Sequence, residues 1–334
     1  MPNFRKLLYP FSVLYDAVTG TRNALYDHGM FPSQSYDFPV ICVGNLNTGG
    51  TGKSPMIEYL LGLLNDNYRT ATLSRGYKRE TKGFKMVNEQ DPANLTGDEP
   101  LQFKSKFPKS IVAVDANRRE GIAELLKESP EVILLDDAFQ HRKVAAGFNI
   151  LLTAYDDLYV KDLLLPAGNL RESATGAGRT NIIIVTKCPQ SLSDLEMDQI
   201  EKKLKPLPHQ KVYFTSILYA DKIVSKGATL NLEDIDSENF TLVTGIANPK
   251  PLLDYLQGNS IDMNHLKFPD HHNFTASEIN KLKKASKILT TEKDFMRLKD
   301  RIPLDRLFYL PIQVQFLRGK QDFDQTVLNF VNKK

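Results

Sequence analysis

A glycine-rich segment with one lysine offers the clearest chemistry in the sequence. Residues 44–54 read Gly-Asn-Leu-Asn-Thr-Gly-Gly-Thr-Gly-Lys-Ser, follow an apolar run typical of a buried strand, and precede a helical pattern. This is the context of a P-loop, whose backbone N–H groups cradle a phosphate chain while the lysine reaches the β- and γ-phosphates. The residues that we expect to contact a nucleotide here are Asn47, Thr48, Gly49, Gly50, Thr51, Gly52, Lys53 and Ser54.

The loop departs from the usual P-loop pattern at one position. The pattern GxxxxGK[ST] places a glycine where this chain has Asn47. Asparagine tolerates a left-handed backbone better than most residues, so we expect the loop to form. The hydroxyl of Ser54, directly after Lys53, is then expected to ligate Mg²⁺.

Two acidic residues follow a second apolar run. The residues Val-Ile-Leu-Leu at 132–135 lead into Asp136 and Asp137, which is the pattern of a Walker B aspartate. In a parallel sheet the carboxyl ends of the strands border the ligand crevice. Successive side chains of a strand point in opposite directions, so we expect the two aspartates to differ in role and one of them to hold the Mg²⁺ shell.

The phosphate loop leaves the reaction open, because P-loop proteins include kinases, motors, metallochaperones and switches. Thr186 and Lys187 follow an apolar run and are similar to part of a guanine-reading loop, but the aspartate that would complete it is missing. A kinase of a soluble small molecule and a nucleotide-dependent switch or metallochaperone both stay open at this point.

The elements that must position these residues alternate along the first part of the chain. Short apolar runs, rich in β-branched residues, are the candidate strands, at 40–43, 70–73, 111–114, 132–135, 149–152 and 182–185. Helical patterns such as 55–64 and 119–127 lie between several of them. Continuous apolar strands separated by helices predict an α/β fold, here a P-loop NTPase-like parallel sheet with helices on both faces.

The pattern changes in the second part of the chain. Residues 212–217 and 222–224 predict a hairpin or a two-stranded linker, and a shorter series of strands and helices follows. We therefore predict a second, smaller α/β domain joined by that linker. The predicted division is 1–30 for an N-terminal helical region, 31–217 for the P-loop domain and 218–334 for the smaller domain.

The N-terminal region predicts an amphipathic helix. Apolar residues recur at positions 7, 8, 11, 14, 15 and 18, which is one face of a helix. Pro10 fits such a helix if it lies in the first turn. Packing on the protein's own core and docking at a membrane surface are both open interpretations of the stripe. No run reaches the roughly 18 apolar residues that a membrane span needs.

Composition excludes several classes of protein. Of the 334 residues, 41% are hydrophobic and 25% charged, so neither wholesale disorder nor a fibrous structure is expected. The formal net charge of +3 is no signature of a nucleic-acid partner. Cys42 and Cys188 are the only cysteines, which excludes a disulfide framework and a multi-cysteine zinc site.

Further motifs follow the phosphate loop in a characteristic order. They are Ser74-Arg75-Gly76-Tyr77, Gly97-Asp98-Glu99-Pro100, Asp136-Asp137-Ala138-Phe139-Gln140-His141, Leu165-Pro166-Ala167-Gly168-Asn169-Leu170-Arg171-Glu172, Thr244-Gly245-Ile246-Ala247-Asn248-Pro249, Phe268-Pro269-Asp270-His271-His272 and Thr291-Glu292-Lys293-Asp294. Together with the loop they resemble the tetraacyldisaccharide 4′-kinase family. The resemblance covers the chain from the N-terminal helix to about residue 295.

The resemblance implies a lipid kinase. In that family the γ-phosphate of ATP is transferred to the 4′-hydroxyl of a tetraacylated glucosamine disaccharide 1-phosphate, giving lipid IVA in lipid A biosynthesis. It further implies Mg²⁺ as cofactor and peripheral attachment to the cytoplasmic face of the bacterial inner membrane, with the N-terminal helix docking on the bilayer. No protein partner follows from it.

The resemblance also implies roles for individual residues. Lys53 and Ser54 take the phosphate and metal roles, and Asp98 matches the family's candidate catalytic base with His271 as its partner. Either Asp136 or Asp137 takes the Walker B role. The other positions expected at the site are Arg118, Arg171 and His141 on the nucleotide and Glu172 near the metal.

These roles agree with the chemistry of phosphoryl transfer. A sugar hydroxyl needs a carboxylate to accept its proton late in the transfer, which suits Asp98 if a second group orients it. Arginines suit bidentate phosphate contacts, so Arg118 and Arg171 are expected to neutralise phosphate charge beyond Lys53. An acceptor with four acyl chains stays in the bilayer, which favours the membrane interpretation of the N-terminal stripe and of the flanking cations Arg5, Lys6 and Arg22.

Overall fold

The computed structural model describes residues 3–333 of the chain. Residues 1, 2 and 334, which the predicted first and last regions include, lie outside the described residues. The described strands are β1 (Val40–Asn45), β2 (Thr70–Ser74), β3 (Lys85–Met86), β4 (Ile111–Val114), β5 (Val132–Asp136), β6 (Phe148–Ala154), β7 (Ile182–Thr186), β8 (Lys211–Tyr219), β9 (Lys222–Ser225), β10 (Ala228–Asn231), β11 (Phe240–Thr244), β12 (Asn264–Lys267), β13 (Lys287–Thr290), β14 (Leu307–Tyr309) and β15 (Ile312–Arg318).

Helices connect most of these strands. The described α-helices are α1 (Tyr9–Asp27), α2 (Lys53–Leu64), α3 (Ala93–Thr96), α4 (Asp98–Lys106), α5 (Arg118–Leu126), α6 (Asp194–Leu204), α7 (Lys250–Gly258), α8 (Ala276–Leu282), α9 (Glu292–Leu298) and α10 (Lys320–Asn332).

The larger sheet has the order β15-β8-β7-β6-β1-β5-β2-β4-β3. All its neighbouring pairs are parallel except the two at its edges, β15 with β8 and β3 with β4. Every residue of β1, β2, β4, β5 and β7 is buried, which agrees with the apolar runs at 40–43, 111–114, 132–135 and 182–185. The predicted parallel sheet is therefore confirmed.

Helices cover both faces of the larger sheet, as the sequence predicts. Ile41 and Val43 of β1 share a core with residues of α2 and α10, whereas Val40 and Cys42 pack with α5 and α6 on the opposite face. The first core also includes Phe295 of α9, so it continues into the second part of the molecule. This shared core fixes the position of α9 relative to the phosphate loop.

The smaller sheet has the order β10-β9-β14-β13-β11-β12. The strands β14, β13, β11 and β12, which run from its interior to one edge, pair in parallel, and a separate apolar cluster beneath α7 covers one of its faces. The sequence-based division at residues 217 and 218 stays a prediction. The prediction assigns β15 and α10 to the smaller domain. In the structure β15 pairs with β8 of the larger sheet, and α10 packs in the core beneath that sheet.

The two-stranded linker exists, but its strands are not the predicted ones. Residues 216–219 of β8 pair with residues 312–315 of β15, and β9 pairs with β10 and β14 in the other sheet. The expected hairpin between 212–217 and 222–224 is therefore wrong. A local pattern identifies each strand, but a partner almost 100 residues away is chosen by the tertiary fold.

The N-terminal helix begins with a short 3₁₀ segment, Asn3–Leu8, followed by α1. Pro10 lies in the first turn of α1, where its missing N–H costs no hydrogen bond. No helix within residues 3–333 is both long and apolar enough to cross a bilayer.

Candidate active site

The phosphate loop connects β1 to α2 at the carboxyl edge of the larger sheet. Three of its carbonyl oxygens accept hydrogen bonds from side chains: Gly49 from Asn45 at 3.3 Å, Gly50 from Lys187 at 2.6 Å and Thr51 from Thr186 at 2.8 Å. Since the C=O and the following N–H of a trans peptide point in opposite directions, these bonds turn the N–H groups of Gly50 and Gly52 away from the donors. The N–H of Thr51 donates to the carbonyl of Gly49 at 3.1 Å, and that of Thr48 donates to the carbonyl of Asn169 at 2.7 Å. The arrangement suits a cradle for an anion.

Asn47 does not play the part that the sequence suggested. The positive φ angles of the loop belong to Gly49 and Gly52, at +145° and +86°, not to Asn47. Asn47 instead forms an extended bridge with Leu170, and its side-chain amide donates to Asp162 at 3.1 Å. The tolerance of asparagine for a left-handed backbone is therefore not needed at this position, because the loop takes its turn two residues later.

Lys53 is the first residue of α2 and lies at the mouth of the loop. Its ammonium is 3.3 Å from Asn45 Oδ1 and 3.6 Å from Asp137 Oδ1. Asp137 in turn accepts a hydrogen bond from Arg171 at 3.0 Å. Burial alone would raise the pKa of Asp137, but the charges of Lys53 and Arg171 outweigh burial and lower it. The lysine thus has an anionic partner at the position where a phosphate would meet it.

The two aspartates of the Walker B element differ in environment, as predicted. Asp136 ends β5, is 3% exposed and accepts a hydrogen bond from Ser74 at 3.1 Å, while its Oδ1 atom is buried without a partner among the described residues. Asp137 follows with a left-handed backbone, at φ +49°. Burial, together with the charges of Glu99 and Asp137, raises the pKa of Asp136 to about 7.

Ser54 meets a residue that the sequence analysis missed. Its hydroxyl donates to Glu99 Oε1 at 2.6 Å, and Lys293 of α9 contacts the same oxygen. Glu99 stands in the Gly-Asp-Glu-Pro motif at the start of α4, but only its neighbour Asp98 was given a role. The sequence did offer a signal for Glu99, because two adjacent acidic residues stand in the first turn of a helix.

Asp98 and His271 lie in contact although 173 positions separate them. His271 Nδ1 is 3.1 Å from Asp98 Oδ2, and Arg297 of α9 touches both residues. Arg297 is itself held by Asp294 at 2.6 Å and by the carbonyl of Gly245 at 3.0 Å. Burial opposes ionisation of Asp98, but its bond to His271 and the charge of Arg297 hold its pKa well below the usual range.

Glu172 lies in a hydrogen-bond network that reaches the start of the phosphate loop. The oxygens of Glu172 accept from Gln140 at 3.1 Å, Asn23 at 2.7 Å and Arg179 at 2.9 Å. Gln140 also donates to the carbonyl of Asn45 at 2.8 Å. The metal role of Glu172 stays a prediction, and its contacts favour a part in positioning Gln140 against the start of the phosphate loop.

Arg118 is enclosed within the protein, whereas His141 is half-buried. Arg118 is 2% exposed and donates to the carbonyls of Asp115 at 2.5 Å and Asp136 at 3.0 Å. Burial and the charge of Arg118 lower the pKa of His141 to about 4, so this imidazole is neutral near pH 7. Nucleotide contact by either residue stays a prediction.

No group of three or more His, Cys, Asp or Glu side chains within residues 3–333 is arranged to hold a metal ion. Mg²⁺ is usually held by one or two carboxylates together with substrate phosphates and water, so a dedicated protein cage is not required for it.

Comparisons with known proteins agree with these features. The family model for tetraacyldisaccharide-1-P 4′-kinase matches residues 4–332. Tetraacyldisaccharide 4′-kinase of Flavobacterium johnsoniae is 50% identical, with 98% of each chain covered, and that of Bacteroides thetaiotaomicron is 43% identical, with 98% of this chain and 93% of the relative covered. A crystal structure of the "apo" form of LpxK from Aquifex aeolicus in complex with ATP has a TM-score of 0.80 at 29% identity, covering 98% of this chain and 99% of that one.

Proposed function

This chain belongs to the tetraacyldisaccharide-1-P 4′-kinase family, and we propose which of its residues carry out the family's reaction. It is an ATP-dependent kinase of lipid A biosynthesis that phosphorylates the 4′-hydroxyl of tetraacyldisaccharide 1-phosphate to give lipid IVA. One observation carries the assignment of roles, the 2.6 Å hydrogen bond from Ser54 to Glu99. Because Asp98 precedes Glu99, this bond supports a base close to the phosphate end of the nucleotide.

The phosphate loop and its lysine bind ATP. The inward N–H groups and the N-terminus of α2 meet the phosphate chain, where unpaired helix N–H groups favour an anion. When ATP binds, the ammonium of Lys53 leaves Asp137 and contacts the β- and γ-phosphates. Arg171, already in contact with Asp137, is a further cation for the transferred group.

Asp98 accepts the proton of the 4′-hydroxyl. The bond between the γ-phosphorus and the β–γ bridging oxygen breaks as the hydroxyl oxygen bonds to phosphorus, and the proton passes to the carboxylate late in this transfer. Arg297 and His271 keep Asp98 ionised and fixed in orientation. A carboxylate is a weak base, so Asp98 contributes to the reaction mainly by being ionised and correctly oriented before the acceptor binds.

The donor set at the end of β5 fits Mg²⁺. The hydroxyl of Ser54 and the carboxylates of Asp136 and Glu99 are hard oxygen ligands, and Asp136 has one buried oxygen without a partner among the described residues. Ser54 and Asp136 would hold the ion, with Asp137 next to them. When bound, the ion neutralises charge on the β- and γ-phosphates.

The N-terminal helix attaches the enzyme to the cytoplasmic face of the inner membrane. Four members of the predicted stripe are uncovered, since Leu7, Phe11, Leu14 and Val18 are 72%, 62%, 65% and 64% exposed. The other two, Leu8 and Tyr15, are half-buried, and the hydroxyl of Tyr15 donates to the carbonyl of Arg171 at 2.9 Å. The opposite face is fastened to the protein, for example by Ser12, which is 2% exposed. An uncovered apolar stripe on an anchored helix is suited to the headgroup region of a bilayer.

One expected lipid contact is absent from this helix. Arg5 donates to the carbonyls of Pro166 at 3.1 Å and Gly168 at 2.5 Å, and to Asn169 Oδ1 at 3.0 Å, so its charge is used within the protein. The apolar stripe, rather than Arg5, therefore supports membrane docking. It also supports a lipid acceptor over a soluble one.

The proposal is tested by acceptor use. Purified protein is incubated with Mg-ATP labelled at the γ-phosphate and with either the tetraacylated disaccharide 1-phosphate in mixed micelles or water-soluble sugars. We expect label only on the 4′ position of the lipid, and none with Lys53→Ala. Transfer to soluble sugars alone, or hydrolysis without transfer, would contradict the proposal.

A further inference from the structure

Lys293 brings a cation from the smaller sheet to the phosphate loop. It lies in the first turn of α9, and its ammonium contacts Glu99 Oε1, the oxygen that also accepts the hydrogen bond from Ser54. The hydroxyl of Ser54 and the ammonium of Lys293 therefore contact the same carboxylate oxygen of Glu99. Nothing in the sequence alone assigns a role to Lys293.

The position of Lys293 is set by a buried cluster next to it. Glu292, its neighbour, accepts hydrogen bonds from Lys106 and Gln102 of α4, both at 2.9 Å. Lys106 also reaches Glu58 of α2 at 2.6 Å, which joins α9 to the helix that begins the phosphate site. The backbone of Lys293 is thus fixed, while its four-carbon side chain is free to change partners.

Two other lysines lie at the same loop. Lys53 stands beside Asp137, and Lys187 donates to the carbonyl of Gly50 at 2.6 Å. The charges of Lys293 and Lys53 both act on Lys187, where they help burial to lower its pKa. Three ammonium groups near one anion cradle favour a polyanion such as a triphosphate.

We propose that Lys293 is a catalytic residue that leaves Glu99 when a divalent cation enters beside Ser54 and then neutralises the oxygens of the γ-phosphoryl group during its transfer. This inference rests on the proposed function, because it assigns a part in that reaction. Lys293 gains and loses no proton: the γ-phosphorus exchanges the bridging oxygen for the acceptor oxygen, and the hydroxyl proton passes to Asp98. In the absence of ligands the ammonium of Lys293 supplies the positive charge beside Glu99 that the divalent cation supplies when it is bound.

The exchange of partners is measured without turnover. Mn²⁺ binding to the nucleotide-free protein is followed by electron paramagnetic resonance in the wild type, Lys293→Met and Lys293→Met/Glu99→Gln. We expect Lys293→Met to bind Mn²⁺ about tenfold more tightly, a coupling of ordinary size between two ligands of one site. The double variant should lose this gain, because the carboxylate released by Lys293 is gone.

Turnover gives the second readout. We expect Lys293→Met to lower kcat about 100-fold, the usual loss when one charge-stabilising group is removed, with the KM for ATP nearly unchanged. Lys299→Met is the matched control: Lys299 follows α9 and donates to the carbonyl of Glu89 at 2.9 Å, away from the loop. Lys299→Met should keep the kcat and the KM for ATP of the wild type. Lys293→Arg, which retains the positive charge, should recover part of the kcat that Lys293→Met loses.

Failure of this inference is distinct from failure of the proposed function. If the wild type does not phosphorylate the lipid, the proposed function is wrong. If the wild type does so and Lys293→Met keeps its kcat, or if its Mn²⁺ affinity equals that of the wild type, the role of Lys293 is overturned.

Discussion

His271 Nδ1 lies 3.1 Å from Asp98 Oδ2, so each of the two sheets contributes one member of this pair. Asp98 begins α4 beside the larger sheet, and His271 follows β12 of the smaller one with a left-handed backbone, at φ +53°. The pair forms only when the two parts of the molecule are correctly placed. Separation of the sheets would leave Asp98 without this partner.

Arg297 is expected to position the pair. Arg297→Gln should lower kcat about 100-fold at pH 7.5, because the variant cannot hold the Asp98 carboxylate by charge, while ATP affinity stays near that of the wild type. Steady-state kinetics with the lipid acceptor and ATP titration calorimetry measure the two quantities. Arg301→Gln is the control, since Arg301 donates to the carbonyl of Phe274. Equal kcat values for both variants would remove Arg297 from the mechanism.

Glu292 is expected to make stability depend on pH. Its burial, together with the charge of Glu58, raises its pKa from 4.5 to about 7, in spite of the opposing charge of Lys106. The folded state then binds a proton more tightly than the unfolded state, so this contribution is full below about pH 4.5 and is lost as pH rises to about 7. It amounts to at most about 3 kcal/mol.

The comparison with Glu292→Gln isolates this contribution. Urea midpoints are measured for both proteins at pH 5 and pH 8. We expect the midpoint of the wild type, relative to that of the variant, to be lower at pH 8 than at pH 5. A constant difference between the two proteins across this range is the result that speaks against a protonated Glu292.

The exposed stripe of α1 is expected to bind membranes. Leu14→Glu/Val18→Glu should release the protein from vesicles that contain anionic lipid, because both side chains are exposed and carry no contact of the core. Sedimentation with vesicles measures the bound fraction. Leu195→Glu is matched in exposure, at 69% on α6, and should still sediment. Co-sedimentation of the α1 variant at the wild-type level would leave the stripe without a membrane role.

Point substitutions test this helix better than its removal. Deleting residues 1–20 is also expected to free the protein from membranes, but it removes Ser12, which donates to the carbonyl of Leu164 at 2.9 Å. The segment after Leu164 leads to Asn169, whose carbonyl accepts from the N–H of Thr48 at 2.7 Å. The deletion would therefore disturb the phosphate loop as well.

The sequence predicts the parts of the site that depend on local order. The phosphate loop, the buried strand before Asp136 and the helix after Lys53 each follow from patterns within about a dozen residues. The parallel sheet follows from the same patterns, because only a doubly covered sheet accommodates such continuous apolar strands.

The remaining features depend on contacts between distant segments. Nothing local indicates that β8 pairs with β15, that Lys293 reaches Glu99, or that Arg297 joins Asp98 to His271. The smaller sheet must first dock through the shared core before these side chains meet. The resemblance to a family placed Asp98 and His271 at one site, but it gave no role to the cations of α9.

The most direct test of the account is the single-turnover rate of Asp98→Asn with Mg-ATP and the tetraacylated disaccharide 1-phosphate. Asparagine keeps the size of the side chain but cannot take the proton, so we predict a rate at least about 100-fold below that of the wild type, with ATP affinity unchanged. Phosphoryl transfer at the wild-type rate would contradict the claim that Asp98 accepts the proton of the 4′-hydroxyl.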